Sequence, residues 1–358
     1  MSLAEHLRSL CALSGPPGYE HAVVGHVRKH LQSLGLDARQ DRTGQLSVVI
    51  GTGTGEPTLI TAHLDEVALV VHRVEEDGFL RIRRVGGVPE RLLPGSRFNV
   101  LTRHGPIPAV VGSLAHHLTP ETEKYVAHPA EDLYLDIGAR TRSEALHIGA
   151  RVGDMACTER CFTELPNGGV VSPALDDRSG VASLCELAER LAAAPPERPV
   201  ILGFTTQEEF HVRGTLSLVA HHHPAAVVNV DVSPATDTPD LDGTGNVALG
   251  AGPVLNRLSF HGRGTLGGLI PHQGLADAVE TAATDTGTPL QLETIIGLIT
   301  DAAFVPMSTA EGVATVGIGI PCRYTHSSVE QIRMDDLIGC TDILESLAHS
   351  LDTSTLTW

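Results

Sequence analysis

The sequence predicts an α/β protein whose alternation of helices and strands is broken once by an all-β insert. Three observations predict it. Short apolar runs alternate with amphipathic helical stretches at both ends of the chain. Between about Leu69 and Thr163 the texture changes to short β-like runs separated by turn residues. Apolar residues make up 42% of the 358 positions, enough for a sizeable core. At roughly 150 residues per domain the length fits two or three domains. With only 7 Phe, 4 Tyr and 1 Trp, that core is aliphatic.

The elements follow in order. Leu3–Leu13 and Tyr19–Leu34 read as amphipathic helices separated by the breaker Gly15–Gly18, and Ser2 with Glu5 forms a capping box for the first. Leu46–Ile50 and Thr58–Ala62 read as strands. Within the insert the runs are Leu69–Val74, Phe79–Arg83, Arg97–Thr102, Ala109–Leu114 and Leu133–Asp136. Alternation then resumes with a helix at Arg178–Ala194, a buried strand at Val200–Thr205, a helix at Thr215–His222 and a strand at Ala226–Val230. A helix at Pro271–Thr286, strands at Leu290–Ile295 and Val313–Ile318, and a closing helix at Asp335–Leu351 complete the chain. Strands separated by helices imply a sheet covered on both faces.

Lys plus Arg is 25 against 43 Asp plus Glu, a formal charge of −18. That balance excludes a general phosphate-binding surface, so neither nucleic acid nor a membrane is an expected partner. The cysteines Cys11, Cys157, Cys161, Cys185, Cys322 and Cys340 show no CxxC spacing and read as free thiols in a reducing compartment. The N-terminus lacks a secretory pattern and no apolar run approaches the ~20 residues of a bilayer span. The expectation is a soluble cytoplasmic protein.

Candidate chemistry gathers at strand ends, where ligands of α/β sheets bind. TLITAHLDE places His63, Asp65 and Glu66 past one strand, VILGFTTQEE places Glu208 and Glu209 past another, and AAVVNVD places Asp231 at a third. SPALDDRSG sets Asp176 and Asp177 at a helix start, and RYTHSSVE puts His326 in a late loop. Two imidazoles with several carboxylates and no thiolate suit zinc, cobalt or manganese. One bridging carboxylate can hold two ions about 3.5–4 Å apart. If Glu208 and Glu209 are extended, they point opposite ways, so one can ligate while the other moves protons. The His63-x-Asp65 spacing lets a carboxylate orient a ligating imidazole. Any one of these residues alone is more often a cap or turn former. The triple His221–His223 closes a helix before Pro224; it, the pair His116–His117 and the lone CxxxC of Cys157 and Cys161 read as structural.

Together, TAHLDEV, SPALDDRSG, TTQEE, DVSPATD and IPCRYTHSSVE stand in the order and spacing of one family. The chain resembles the metallopeptidase family 42 aminopeptidases, which include the tetrahedral, deblocking and glutamyl aminopeptidases. The likeness runs through the insert, in GGVPERLLPGSRFNV, VVGSLAHHL, YLDIGA and LHIGARVGD. It implies a zinc-aminopeptidase-like catalytic domain, a mixed sheet flanked by helices, formed by residues 1–68 and 164–358. A small β-barrel at 69–163 would interrupt it. It also implies two divalent ions, zinc first and cobalt or manganese as alternatives. His63, Asp176 and Asp231 would hold one ion; Asp176, Glu209 and His326 would hold the other. Glu208 would be the general base for water attack on an N-terminal peptide bond, and Asp65 the carboxylate behind His63. Peptide substrates and a homo-oligomer, in the family often a tetrahedral dodecamer, follow. The alternatives are a related metal-dependent amidohydrolase or deacylase acting on acylated amino acids, or an inactive scaffold homologue. Ala68, His211 and Ile299 depart from the family pattern, each adding bulk near the expected cleft.

Overall fold

Strands buried at every position belong between two covered layers, whereas strands that alternate have one solvent face. Both kinds occur in the computed structural model, which describes residues 1–241, 243–262 and 267–356. Thr58–His63 and Val200–Thr205 are buried throughout. They run parallel in the centre of a nine-stranded mixed sheet. Ala226–Pro234 continues parallel beside Thr58–His63, and Ala314–Cys322 parallel beside it. Leu46–Ile50 and Val254–Phe260 flank this parallel centre antiparallel on either side.

Alternation along each strand decides which residues face which layer. Ile60 and Ala62 join a large aliphatic core with Leu7, Leu31, Leu187 and Leu344 from four helices. Those helices are Leu3–Cys11, His21–Ser33, Leu175–Ala193 and Met334–Ser350. Leu59, Ile201 and Val227 point the other way and meet Leu218 and Val219 of the helix Gly214–His222. Thr61 and His63 share this second face, where the apolar cover is small. That leaves it open for chemistry.

The insert closes on itself. Ala68–Val74, Leu80–Val85, Arg97–Thr102, Gly105–Val111, Tyr134–Asp136 and Met155–Thr158 form a closed antiparallel barrel. It has its own core of Leu69, Val71, Ile82, Val100 and Leu135. Two elements of the insert differ from expectation. Arg142–Ile148 is a helix, capped by Thr141, whose hydroxyl accepts from the Glu144 amide. At 7 residues it is too short to show periodicity. Met155–Thr158 is a further barrel strand, at 4 residues too short to announce itself by alternation.

Outside the barrel, Val254–Phe260 and the small sheet of Thr163–Leu165, Gly169–Ser172 and Glu330–Arg333 are likewise additions. The expected capping box is present: Ser2 Oγ accepts from the Glu5 amide at 3.3 Å, and Glu5 Oε2 accepts from the Ser2 amide at 2.7 Å. The six cysteines are free, with only Cys161 exposed. Among the described residues no helix is long and apolar enough to cross a membrane.

Candidate metal centre and active site

His63 ends its strand, and Asp65 follows at the start of the passage into the barrel. Asp65 is fully buried, and its two oxygens accept the backbone N–H groups of Glu208 (2.9 Å) and Glu209 (3.0 Å). These hydrogen bonds correct one expectation. Glu208 and Glu209 are not extended; they open a short helix, Glu208–His211, entered through a left-handed Gln207 with φ 62°. An anion on the first amides of a helical turn favours that geometry. Asp176 and Asp177 stand at the start of Leu175–Ala193 with non-helical backbone and a cis peptide between them. Asp177 turns inward, accepting from the amides of Gly180 (2.9 Å) and His63 (3.3 Å).

The expected residues converge. His63 Nε2 lies 3.0 Å from Asp176 Oδ1 and 3.9 Å from Asp231 Oδ1. His326 Nε2 lies 3.3 Å from Asp176 Oδ2 and 3.3 Å from Glu209 Oε1. Asp176 therefore offers one oxygen to each of two donor groups, His63–Asp176–Asp231 and Asp176–Glu209–His326. Donors 2.0–2.2 Å from a tetrahedral zinc lie about 3.4 Å from one another, which these separations match. Glu209 Oε1 is buried without a hydrogen-bond partner. The donor set thus fits two divalent cations.

Electrostatics point the same way. No Lys or Arg among the described residues pairs with Asp65, Asp176, Asp231, Glu208 or Glu209. Burial pushes the Glu208 carboxyl well above the ordinary glutamate range; His63 opposes this, and Asp231 and Glu209 add to it. Burial likewise lifts Asp231 well up and Glu209 to about 7. Burial would lower His63 and His326, but neighbouring carboxylates overcome it and raise both well above the imidazole norm. Asp176 is depressed: burial works against its charge, but the two imidazoles outweigh that. In the protein alone the imidazoles keep protons where a cation would provide the compensating charge.

Residues that sequence reasoning passed over complete the support. Glu330, 1% exposed, accepts from the His326 amide (2.8 Å) and the Asp176 amide (3.1 Å), holding two candidate ligands at once. Its signal was present: it lies four residues after His326 inside the same motif. The Gly87 carbonyl lies 3.2 Å from His326 Nδ1. A carbonyl only accepts, so Nδ1 keeps its proton, and Nε2 is the nitrogen that would give up its own to hold a cation. A Cβ at Gly87 would meet Nδ1 at 2.7 Å, so the approach requires glycine. Glu66, which the sequence sets beside His63 and Asp65, pairs instead with guanidiniums: it binds Arg160 through both oxygens (2.5 and 3.2 Å) and Arg178 at 3.3 Å, and accepts from the Gly15 amide at 2.9 Å.

Of Asp65 and His63, Oδ1 and Nδ1 are 3.6 Å apart, longer than a hydrogen bond. A cavity of about 570 Å³ opens over the cluster and is lined by Asp176, Glu208, Glu209, Asp231 and His326. His211 and Ile299 also line it, whereas Ala68 is packed against Val85 and Cys157. The remaining histidine motifs stay outside it: His222 Nε2 is 2.9 Å from Ser47 Oγ, and His116 and His117 sit exposed in a single turn. His6, His30 and Cys185 form a separate group, in which His6 Nε2 is 3.0 Å from Glu189 Oε1 and His30 Nε2 is 3.2 Å from the Cys185 carbonyl.

Residues 44–343 match the M42 glutamyl aminopeptidase family. The chain is 28% identical to the glutamyl aminopeptidase of Lactococcus lactis subsp. cremoris (strain MG1363), over 99% of this chain and 98% of that one. It is 28% identical to the lysyl aminopeptidase of Pyrococcus furiosus, over 97% of each. The solved structure of the Pyrococcus horikoshii TET1 peptidase superposes with a TM-score of 0.87 at 31% identity, covering 98% of this chain and 100% of that one. The family match spans most of the sequence and the likeness spans both the sheet and the barrel. The chain therefore belongs to the M42 family of aminopeptidases and is a peptide hydrolase.

Proposed function

We propose that the protein is a dinuclear metal-dependent aminopeptidase that removes N-terminal residues from peptides, with Glu208 as general base. The observation that carries this reading is Asp176, which offers one oxygen to each of two histidine-containing donor groups. His63, Asp176 and Asp231 would hold one ion; Asp176, Glu209 and His326 would hold the second. Zinc is the expected metal, with cobalt or manganese able to replace it. Divalent ions bound there supply Lewis acidity to the scissile carbonyl and make an attacking water easier to deprotonate.

The chain's own residues do the rest. Glu208 is 6% exposed and lines the cavity, and burial lifts its carboxyl above the ordinary glutamate range. It takes a proton from the attacking water and returns it to the leaving amine. Asp65 fixes the Glu208 and Glu209 backbone, keeping the base and one ligand in register. His211 and Ile299 line the same cavity and narrow the space left for the substrate.

Three further features belong to this reading. Residues 1–68 with 164–358 form the catalytic domain and 69–163 the barrel domain. The protein assembles as a homo-oligomer, as the TET1 peptidase does in forming a tetrahedron or a large octahedral shell. The relatives named glutamyl and lysyl aminopeptidase are equally similar to it, so similarity alone does not select the preferred N-terminal residue.

Glu208→Gln tests the assignment. Turnover of aminoacyl-anilides is expected to fall by about 10²–10⁴, while metal analysis still finds close to two ions per chain. Retained hydrolysis sinks the assigned base. A panel that sets free aminoacyl-anilides against N-acylated amino acids tests the substrate class, and preference for the acylated compounds establishes a deacylase instead.

A further inference from the structure

The sheet face that carries Asp231 continues below it into a second, smaller cavity. Two residues back along the strand is Asn229, paired in register with Gly317, which in turn pairs with Asn256. At Gly317 an added Cβ would meet nothing closer than 3.6 Å, so the glycine leaves a gap in the sheet surface. Glu293, on the strand Gln291–Ile296, forms another part of the wall. The cavity measures about 20 Å³, room for one water-sized group. Asp231, Val232 and Leu298 line both it and the larger cavity, so the two share a wall beside the candidate metal centre.

The polar groups of this small cavity are unbalanced. Asn229 Oδ1, Asn256 Oδ1 and Glu293 Oε2 are buried without hydrogen-bond partners, and Asn229 is only 2% exposed. Each is an acceptor, and one belongs to a carboxylate. Buried acceptors are costly unless a donor reaches them. Burial lifts the Glu293 carboxyl above the ordinary glutamate range, with a Ser233 hydrogen bond opposing; a cation beside it reverses that rise. Among the described residues the small cavity is lined by no Lys, Arg or His, so an acidic side chain finds no cationic partner in it.

We infer that this pocket receives the ε-ammonium of an N-terminal lysine, and that Glu293, Asn229 and Asn256 set that specificity. The inference rests on the aminopeptidase reading for the placement of the substrate. An ammonium group is about the size of a water and brings three donors for three acceptors. A guanidinium is too large for the space. The depth also fits: Asn229 lies about 7 Å along the strand from Asp231, and the four-carbon lysine stem extends about 6 Å. The α-ammonium, one atom from the scissile carbonyl carbon, does not reach so deep.

L-Norleucine has the four-carbon stem of L-lysine and lacks only the ε-ammonium at its end, so the two serve as probes. Titration calorimetry on the metal-loaded wild type is expected to show lysine binding at least about tenfold more tightly. The kcat/KM ratio of lysyl- to norleucyl-anilide should exceed about ten, and Glu293→Gln should lower both discriminations about tenfold or more. Equal binding of the two amino acids by the wild type overturns the inference. So does a lysine preference unchanged in a folded Glu293→Gln variant. If neither anilide is hydrolysed but lysine still binds more tightly, the peptidase reading fails and the pocket stands. If both anilides are cleaved equally well, the pocket fails and the peptidase reading stands.

Discussion

Asp65→Asn perturbs the candidate site without touching a ligand atom. In the wild type each carboxylate oxygen accepts one backbone N–H, from Glu208 at 2.9 Å and from Glu209 at 3.0 Å. An amide offers a single oxygen, so its NH₂ group must face the other N–H, donor against donor. A hydrogen bond to a charged acceptor contributes about 1.5–3 kcal/mol, and at least one is lost in a site with no water to replace it. The residues displaced are the proposed base and a proposed ligand. At about 1.4 kcal/mol per factor of ten, kcat/KM should fall on the order of 10²-fold. Metal affinity should fall roughly 10–100-fold, as for other groups that orient ligands. Aminoacyl-anilide kinetics and metal competition against a chelator measure the two losses. Glu208→Gln should lose turnover alone, whereas Asp65→Asn should lose both. A variant within twofold of the wild type in both assays would refute the idea that Asp65 organises this segment.

Other perturbations probe stability. Glu66→Ala leaves the buried guanidiniums of Arg160 and Arg178 without their carboxylate; urea unfolding should show a loss of about 3–5 kcal/mol, and a loss under 1 kcal/mol contradicts the network. Glu20 is buried, its carboxyl lifted from 4.5 to about 7 by burial first and then by Asp65. Because the folded value is the higher one, this group's contribution is full below pH 4.5 and is lost as pH rises to about 7, on the order of 3 kcal/mol. Its Oε1 alone accepts from Gly18 and Gln207, so Glu20→Gln keeps both bonds. The variant should be more stable than the wild type at pH 8 and nearly equal at pH 4.5; unfolding free energies at both pH values decide it. Removing metal with a chelator should lower the thermal midpoint by several degrees, because the crowded carboxylates then lack compensation. Added zinc should restore it, and an unmoved midpoint counts against bound cations.

The legible part of the site was the part written beside strand ends. His63, Asp65, Glu208, Glu209 and Asp231 follow or occupy buried apolar runs, and Asp176 and His326 stand in neighbouring motifs, so residue type and position sufficed to nominate them. The geometry of Glu208 and Glu209 was not legible, because Asp65 shapes it from 143 residues away in sequence. Gly87 belongs to the same class: nothing around it in the chain announces that a histidine from a late loop will rest against its carbonyl. Among the strands, Leu46–Ile50, Arg97–Thr102 and Val200–Thr205 kept their expected bounds, since their apolar character was uninterrupted or cleanly bounded. Val254–Phe260 escaped because Asn256 and Arg257 interrupt its apolar run. Asn256 is also a wall of the small pocket. Local pattern failed there because the polar residue answers to the cavity and not to the strand.

The wide sequence separation of these parts governs when the enzyme can come alive during its own synthesis. His63 is made before the barrel and meets Asp176 only after the whole barrel has been translated, and His326 and Glu330 follow later still. His326 must then dock against Gly87 of a barrel already folded. Domains emerging from the ribosome fold roughly in the order they are made, yet no early portion of this chain holds a complete donor set. With that donor set as its metal ligands, the peptidase stays silent as a nascent chain until His326 and Glu330 have been made.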